Sequence, residues 1–575
     1  MTRLLRTVRH LGAKQIATRA ARVAERMWWR IAKPKVPTGS APPVRLSVVS
    51  SQFKGTDRLD EESPSTDNRQ PTTERERANE IIAGRFTFLN ETRVAPPWNA
   101  PGASHLWRYH LQYFDYLRDL VVAERDVAYG TFRRLVRSWI DAHRTLGGDG
   151  WHPYTISLRV VNWCDAALFF ARELQEDTAF ARELYDSIAA QARFLETHLE
   201  HDVRGNHLLE NARALIRVAA FFDGDEAQRW LNRALPVLQA EVPEQVLADG
   251  GHFERAPGYH LRVLNVLEDI ARYLPAPLIV DAVARMRAFL DAIVPPSGRL
   301  PLLKDTVLPE QPLRVNGGGS RWLPDSGYAV MRDDGQGDYL IADFGRVCPD
   351  YLPAHAHADL FSFELTIGGR PVVIDSGVFE YTAGEWRDWF RSTAAHNTVE
   401  IDGRDQSEMW GSFRVGRRAH PFDVEWIDEE AFSAIRGTHD GYAPLLHTRW
   451  IVHVKEPRLW FVLDRVTGPA GHTARSRIHL NDDAPFHYAP FGASDVSESQ
   501  GWLSERFGEK RPNRVVTLTA STPCWFGYVL SSSQLAALSS QENQGGGISL
   551  RAESCELRAF TVAVSAGGVS LEAGP

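Results

Sequence analysis

With 575 residues, 43 % hydrophobic and 24 % charged, the chain has the composition of an ordinary globular protein of more than one domain. Its net charge of −8 excludes nucleic acid as a bulk partner, yet leaves room for a locally basic cleft that takes an acidic substrate. No stretch approaches the ~20 apolar residues of a membrane span.

Residues 1–35 carry Arg3, Arg6, Arg9, Lys14, Arg19, Arg22, Arg26 and Arg30 against one acid, Glu25. They lack the apolar run of ~7–15 residues of a secretory signal. The pattern predicts a basic amphipathic leader that docks on a membrane surface or on a partner; a poorly ordered basic leader is the plainer alternative. The location expected is the cytoplasm or the inner-membrane periphery, with the cell envelope or periplasm as the alternative. Residues 36–80, rich in Pro, Ser, Thr and charge, read as an irregular linker.

Helical periodicity then dominates from about Trp107 to Pro296, within a helical domain expected over 81–310. Its clear segments are 106–124, 129–144, 157–174, 177–199, 207–222, 227–240, 259–274 and 277–293. Short loops between helices of this length predict antiparallel hairpins in a bundle, solenoid or toroid. After Leu323 the pattern turns to alternating or β-branched runs, among them 339–342, 361–367, 370–374, 398–401, 460–464 and 515–518. Residues 311–575 are therefore expected to form an antiparallel β domain. Cys164, Cys348, Cys524 and Cys555 show no metal-type spacing and read as free thiols, as in a reducing compartment.

In the β domain, His355 and His357 stand at i and i+2 of a strand entry and point the same way. Gly368-Gly369 is a hairpin turn that pairs Ile367 with Arg370 and, carried along, sets Asp375 opposite Ser362. Alternation in 395–401 sends His396 to the face away from Val399 and Ile401. His357, Asp375 and His396 thus converge either on one divalent ion, for which two imidazoles and a carboxylate suit zinc, or in a hydrogen-bonded polar cluster. In the helical domain Asn206 reads as an N-cap, but Asn206, His207, Glu210 and Asn211 crowd one polar face. Residues 249–260 form a loop entering a helix and gather Gly, His, Arg, Pro and Tyr259, as ligand loops do. Trp151, Tyr154 and Arg159 lie in a second such stretch.

Together the segments 205–211 (GNHLLEN), 249–260 (DGGHFERAPGYH), 355–377 and 386–416 resemble the heparinase II/III family of polysaccharide lyases. The resemblance runs from about Trp107 onward and is strongest over 355–416. It implies an α+β multidomain fold, an incomplete (α/α) toroid followed by an antiparallel β-sandwich, with the active site in the cleft between them. It implies β-elimination on a uronic-acid polysaccharide and no organic cofactor. Matched position by position, Asn206 neutralises the substrate carboxylate beside His207, and Tyr259 and His355 are the catalytic pair. His357, Asp375 and His396 match the ligands of a structural divalent metal.

These residue types suit the chemistry. The proton beside a carboxylate is weakly acidic, so donors such as Asn206 and His207 must stabilise the enolate-like state. A phenol, with an ordinary pKa of ~10, serves best as acid, or as base where nearby cations lower that value. An imidazole suits the base, and which of Tyr259 and His355 removes the proton is left to the stereochemistry of the substrate. Arg159, Arg255 and Arg391 are candidate clamps for acidic groups, with Trp151 and Tyr154 as further substrate contacts. Two rivals stand beside the lyase. One is a hydrolase using Asp249, Glu254 or Glu210; the other is a non-catalytic acidic-glycan-binding protein of polysaccharide assembly.

Overall fold

A computed structural model of the chain describes residues 3–45, 73–94, 97–456, 458–481 and 486–531, and the strands at 535–542, 548–554, 557–565 and 568–573. The linker core 46–72 and Cys555 lie outside the described residues; Cys164, Cys348 and Cys524 are free thiols.

The chain divides into two compact units, and the division is not a single cut. One unit comprises residues 11–246 and 261–284; the other comprises 1–10, 247–260 and 285–575. The loop 247–260 and the segment 285–310, expected with the helices, therefore belong with the β-strands.

In the helical unit the expected periodicities become helices at Arg125–Ala142, Pro153–Phe169, Thr178–Thr197, Gly205–Phe221 and Asp225–Gln245. The segment 106–124 is broken by Phe114, at φ 62°, into a helix His105–Tyr113 and a 3₁₀ turn Asp115–Val122. Helix Glu74–Ile82 corrects the linker reading of 74–80. Thr73 accepts from Glu76 N while the Glu76 carboxylate accepts from Thr73 N, a capping box between residues three apart. The leader forms helices Arg3–Val8 and Ala13–Ala32.

In the β unit a nine-stranded and a six-stranded antiparallel sheet are found among the described residues. Leu340, Phe363, Leu365 and Val373 from the first and Ile435, Ile451, Trp460 and Phe526 from the second share one buried cluster, so the two sheets form a sandwich. Ile367 pairs with Arg370 as expected, but a bulge shifts the register so that Leu365 pairs with Val373. Ser362 nonetheless meets Asp375, its hydroxyl donating to Oδ2 at 3.1 Å.

Candidate active site

In the β unit the site is built on residues 257–260, the opening turn of helix Pro257–Tyr273 that carries Tyr259, and on the strand entry 355–359. Gly258 lets this turn sit close: its N–H donates to Thr306 Oγ1 at 3.0 Å, and a Cβ there would press on Thr306 and Asp305 at 3.3–3.4 Å. Tyr259 stacks on His355 with ring centroids 3.5 Å apart, and its hydroxyl lies 3.2 Å from that of Tyr381.

Behind the stack is Asp305, buried and shared. It meets His355 Nδ1 at 3.0 Å, His357 Nε2 at 2.8 Å, and both terminal nitrogens of Arg387 at 2.5 and 2.8 Å. Burial opposes its ionisation, but the Arg387 guanidinium and the two imidazole hydrogen bonds outweigh it and hold the carboxyl well below its ordinary range. Glu254 is the opposite case. It lies 3.8 Å from His355 Nε2 with no hydrogen bond to either carboxylate oxygen among the described residues. Burial, with the charge of Asp305 added, pushes its carboxyl up to about 8.

In the helical unit, Asn206 is not the N-cap expected. Arg204 takes that place at φ 64°, and Asn206 is the second residue of helix Gly205–Phe221. Its side-chain amide makes no hydrogen bond among the described residues, whereas Asn211 one turn on is wholly engaged. Asn211 accepts from Glu200 N and donates to Glu200 Oε2 and Ser157 Oγ. His207 is held by Glu200 Oε1 at 3.0 Å and by the face of Tyr154, ring centroids 3.9 Å apart. Tyr154, expected at the substrate, is buried and positions this imidazole.

The arginine clamps need correction. Arg159 is fully buried, its donors fixed by Gln191, Gln112 O and Gly150 O with its guanidinium over Trp139. Arg391 is buried too and donates to Ala356 O, between the two histidines, and to Gly411 O. Arg255 holds Ser326 O, Asp325 O and Phe253 O. All three donate to backbone carbonyls. Trp151 is buried as well, its indole N–H on His143 O. Two of the three carboxylates of the hydrolase rival are engaged elsewhere: Asp249 takes Ser326 N and Oγ, and Glu210 pairs with Arg213, which leaves Glu254 without the second carboxylate that hydrolysis requires.

The three expected metal ligands are neighbours. His357 and His396 have ring centroids 5.2 Å apart, and His396 Nδ1 meets Asp375 Oδ2 at 2.9 Å. His357 Nδ1 and His396 Nε2 are buried without a hydrogen-bond partner among the described residues, which is what a cation would satisfy. Asp375 stands behind His396 as an orienting carboxylate. Among the described residues no group of three or more His, Cys, Asp or Glu has a ligating arrangement.

Sequence reasoning missed Asp305, Arg387, Tyr381 and Glu200. Arg387 lies one helical turn before Arg391 in the quoted segment 386–416, so the right stretch was in view. Asp305 follows Lys304 in an irregular stretch with no periodicity to mark it.

Known proteins with similar sequences bear on both units. The family model described as Heparinase II/III N-terminus matches residues 107–288, and Heparinase II/III-like, C-terminal matches 316–546. A heparin-sulfate lyase of Pedobacter heparinus is 24 % identical over 376 residues, covering 58 % of this chain and 55 % of its own length. The chain thus spans a little over half of that relative. The FtsZ-localized protein C of Caulobacter vibrioides is 25 % identical over 417 residues, covering 69 % of this chain and 70 % of its own. The crystal structure of heparinase III superposes with a TM-score of 0.69 at 15 % identity, covering 91 % of this chain and 99 % of that one. The fold class expected from the sequence, a toroid-type helical region followed by an antiparallel β-sandwich, agrees with that neighbour.

Proposed function

We infer, for a chain that belongs to the heparinase II/III family, that it is a lyase cleaving a uronic-acid polysaccharide by β-elimination. The observation that carries this reading is the Tyr259–His355 stack with Asp305 and Arg387 behind it. Ionised Asp305 takes the N–H of His355 Nδ1, which leaves Nε2 to carry the lone pair and act as base. His355 Nε2 removes the proton at C5 of the uronic acid. The electron pair so released forms the C4–C5 double bond, and the bond from C4 to the leaving oxygen breaks. Tyr259 donates its hydroxyl proton to that oxygen. Where the C5 proton lies on the other face of the ring, the tyrosine takes the base's part. The Asn206 amide, with His207 beside it, donates to the substrate carboxylate and offsets the charge that builds there.

The metal belongs to the same proposal. A structural divalent cation, zinc by the imidazole donors, would be held by His357 and His396 with Asp375 behind, and would supply order to the strands beside His355. The substrate class proposed is an acidic exopolysaccharide or capsule. The deciding experiment incubates the protein with a panel of uronic-acid polymers and follows the ultraviolet absorbance of the 4,5-unsaturated product. A rise with one polymer, lost in Tyr259→Phe, supports the lyase; new reducing ends without absorbance mean hydrolysis instead. A second reading, a non-catalytic glycan-binding protein, draws on one observation: the relative covering 69 % of the chain is named for its localisation and not for a reaction. Silence across the panel, in absorbance and reducing ends alike, favours it.

A further inference from the structure

Helix Ala13–Ala32 is amphipathic, and it is mounted with its apolar face outward. An ordinary surface helix buries that face against the core. Here the residues turned toward the helical unit are polar or amphipathic: Gln15, Thr18, Arg22, Glu25 and Trp29. Arg22 donates to His198 O and Leu199 O, the Glu25 carboxylate meets His198 Nε2 at 3.0 Å, and Trp29 packs on Phe194. The large apolar residues Ile16, Val23, Met27, Trp28 and Ile31 are 45, 51, 61, 57 and 85 % exposed.

Helical geometry shows how complete the inversion is. With Gln15 at zero and about 100° per residue, the packed residues fall between roughly 280° and 360°. Ile16, Val23, Met27 and Ile31 fall between roughly 80° and 160°, nearly opposite, and Trp28 widens the stripe at roughly 220°. Arg19, Arg26 and Arg30 form one border, between roughly 20° and 60°. Arg26 and Arg30 make no ion pair among the described residues, and the helix's one acid, Glu25, is on the packed side. Among the described residues no helix is long and apolar enough to cross a membrane.

We propose that this helix lies in the plane of an anionic phospholipid bilayer, with Ile16, Val23, Met27, Trp28 and Ile31 among the upper acyl carbons and the arginine row at the headgroups. Two features select a bilayer over a protein partner. The apolar stripe runs from residue 16 to 31, about 22 Å, along one face of a single helix, the shape that lies in a bilayer interface. Its charged border is of a single sign, which is how interfacial helices meet anionic lipid. The inference is independent of the glycan chemistry.

Co-sedimentation of the full chain with vesicles tests it. The chain is expected to bind mixed phosphatidylcholine–phosphatidylglycerol vesicles, and to bind phosphatidylcholine alone about tenfold or more weakly. The double change Met27→Glu with Ile31→Glu removes binding. Arg26→Glu with Arg30→Glu weakens it about tenfold, as does high salt on the wild type. All four side chains are exposed, so the thermal midpoint stays in place; should the apolar variant not fold, the arginine variant and the salt dependence decide. A wild type that stays in the supernatant with mixed vesicles overturns the proposal, as does an apolar variant that sediments like the wild type. A dimer dissolved by the same variant, without vesicle binding, would assign the stripe to a second copy of the chain and overturn it too.

Discussion

Tyr259 lies flat against His355, with ring planes 19° from parallel, so the phenol is held by its face while its hydroxyl reaches Tyr381 at 3.2 Å. Removing the hydroxyl leaves the stack. Tyr259→Phe is therefore expected to lower kcat by about 10²–10⁴, the range of a lost general acid, with KM and the thermal midpoint little changed. Steady-state kinetics on the polymer that gives unsaturated product checks it, and full retention of kcat would end the role assigned to Tyr259.

What was legible in the sequence was what repeats or alternates. Helix Pro277–Ile293 and the Ile367–Arg370 pairing follow from local pattern and turn chemistry. The neighbourhood of Ser362 and Asp375 was also legible, even though a bulge moves the register. What was not legible depends on long-range burial. Arg159, in the middle of helix Pro153–Phe169, looks like any surface arginine until its neighbours close over it. Asp305 has no local signature at all, because its partners His355 and Arg387 lie 50 and 82 residues away. The outward face of helix Ala13–Ala32 was likewise hidden, since amphipathicity gives two faces and not which one is buried.

Asn206 and Asn211, five residues apart on one helix, should separate function from stability. The Asn206 amide holds nothing among the described residues, so Asn206→Ala should leave unfolding in denaturant unchanged while lowering kcat/KM by about 10²–10³. Asn211 bridges Glu200 and Ser157 in the interior. Asn211→Ala strands those groups and should cost about 2 kcal/mol or more of stability. Urea titration of both variants checks the contrast, which fails if their midpoints move together.

His357 Nδ1 and His396 Nε2 give a direct test of the metal. If a cation satisfies them, the purified protein contains close to one equivalent of zinc by elemental analysis, and a chelator lowers its thermal midpoint. Asp375→Ala removes the carboxylate that orients His396 and should lose metal and stability together. In His396→Ala the chelator should have no further effect. A metal-free wild type whose midpoint ignores the chelator would leave the cluster as a hydrogen-bonded one.

Glu254 turns burial into a pH dependence whose sign can be worked out. Its carboxyl titrates near 8 in the folded chain against an ordinary value of about 4.5. Between those limits the folded state holds a proton that the unfolded state has released, so stability falls as pH rises through the window. Glu254→Gln keeps the shape and neutrality of the protonated acid and has no proton to lose. Its advantage over the wild type should be absent below about pH 4 and grow to the order of 4 kcal/mol by about pH 8. Denaturant unfolding of both proteins across that range checks it. Parallel profiles would mean that Glu254 is ionised in the folded protein, and a charged carboxylate 3.8 Å from His355 Nε2 would then favour the imidazolium over the neutral base the elimination requires.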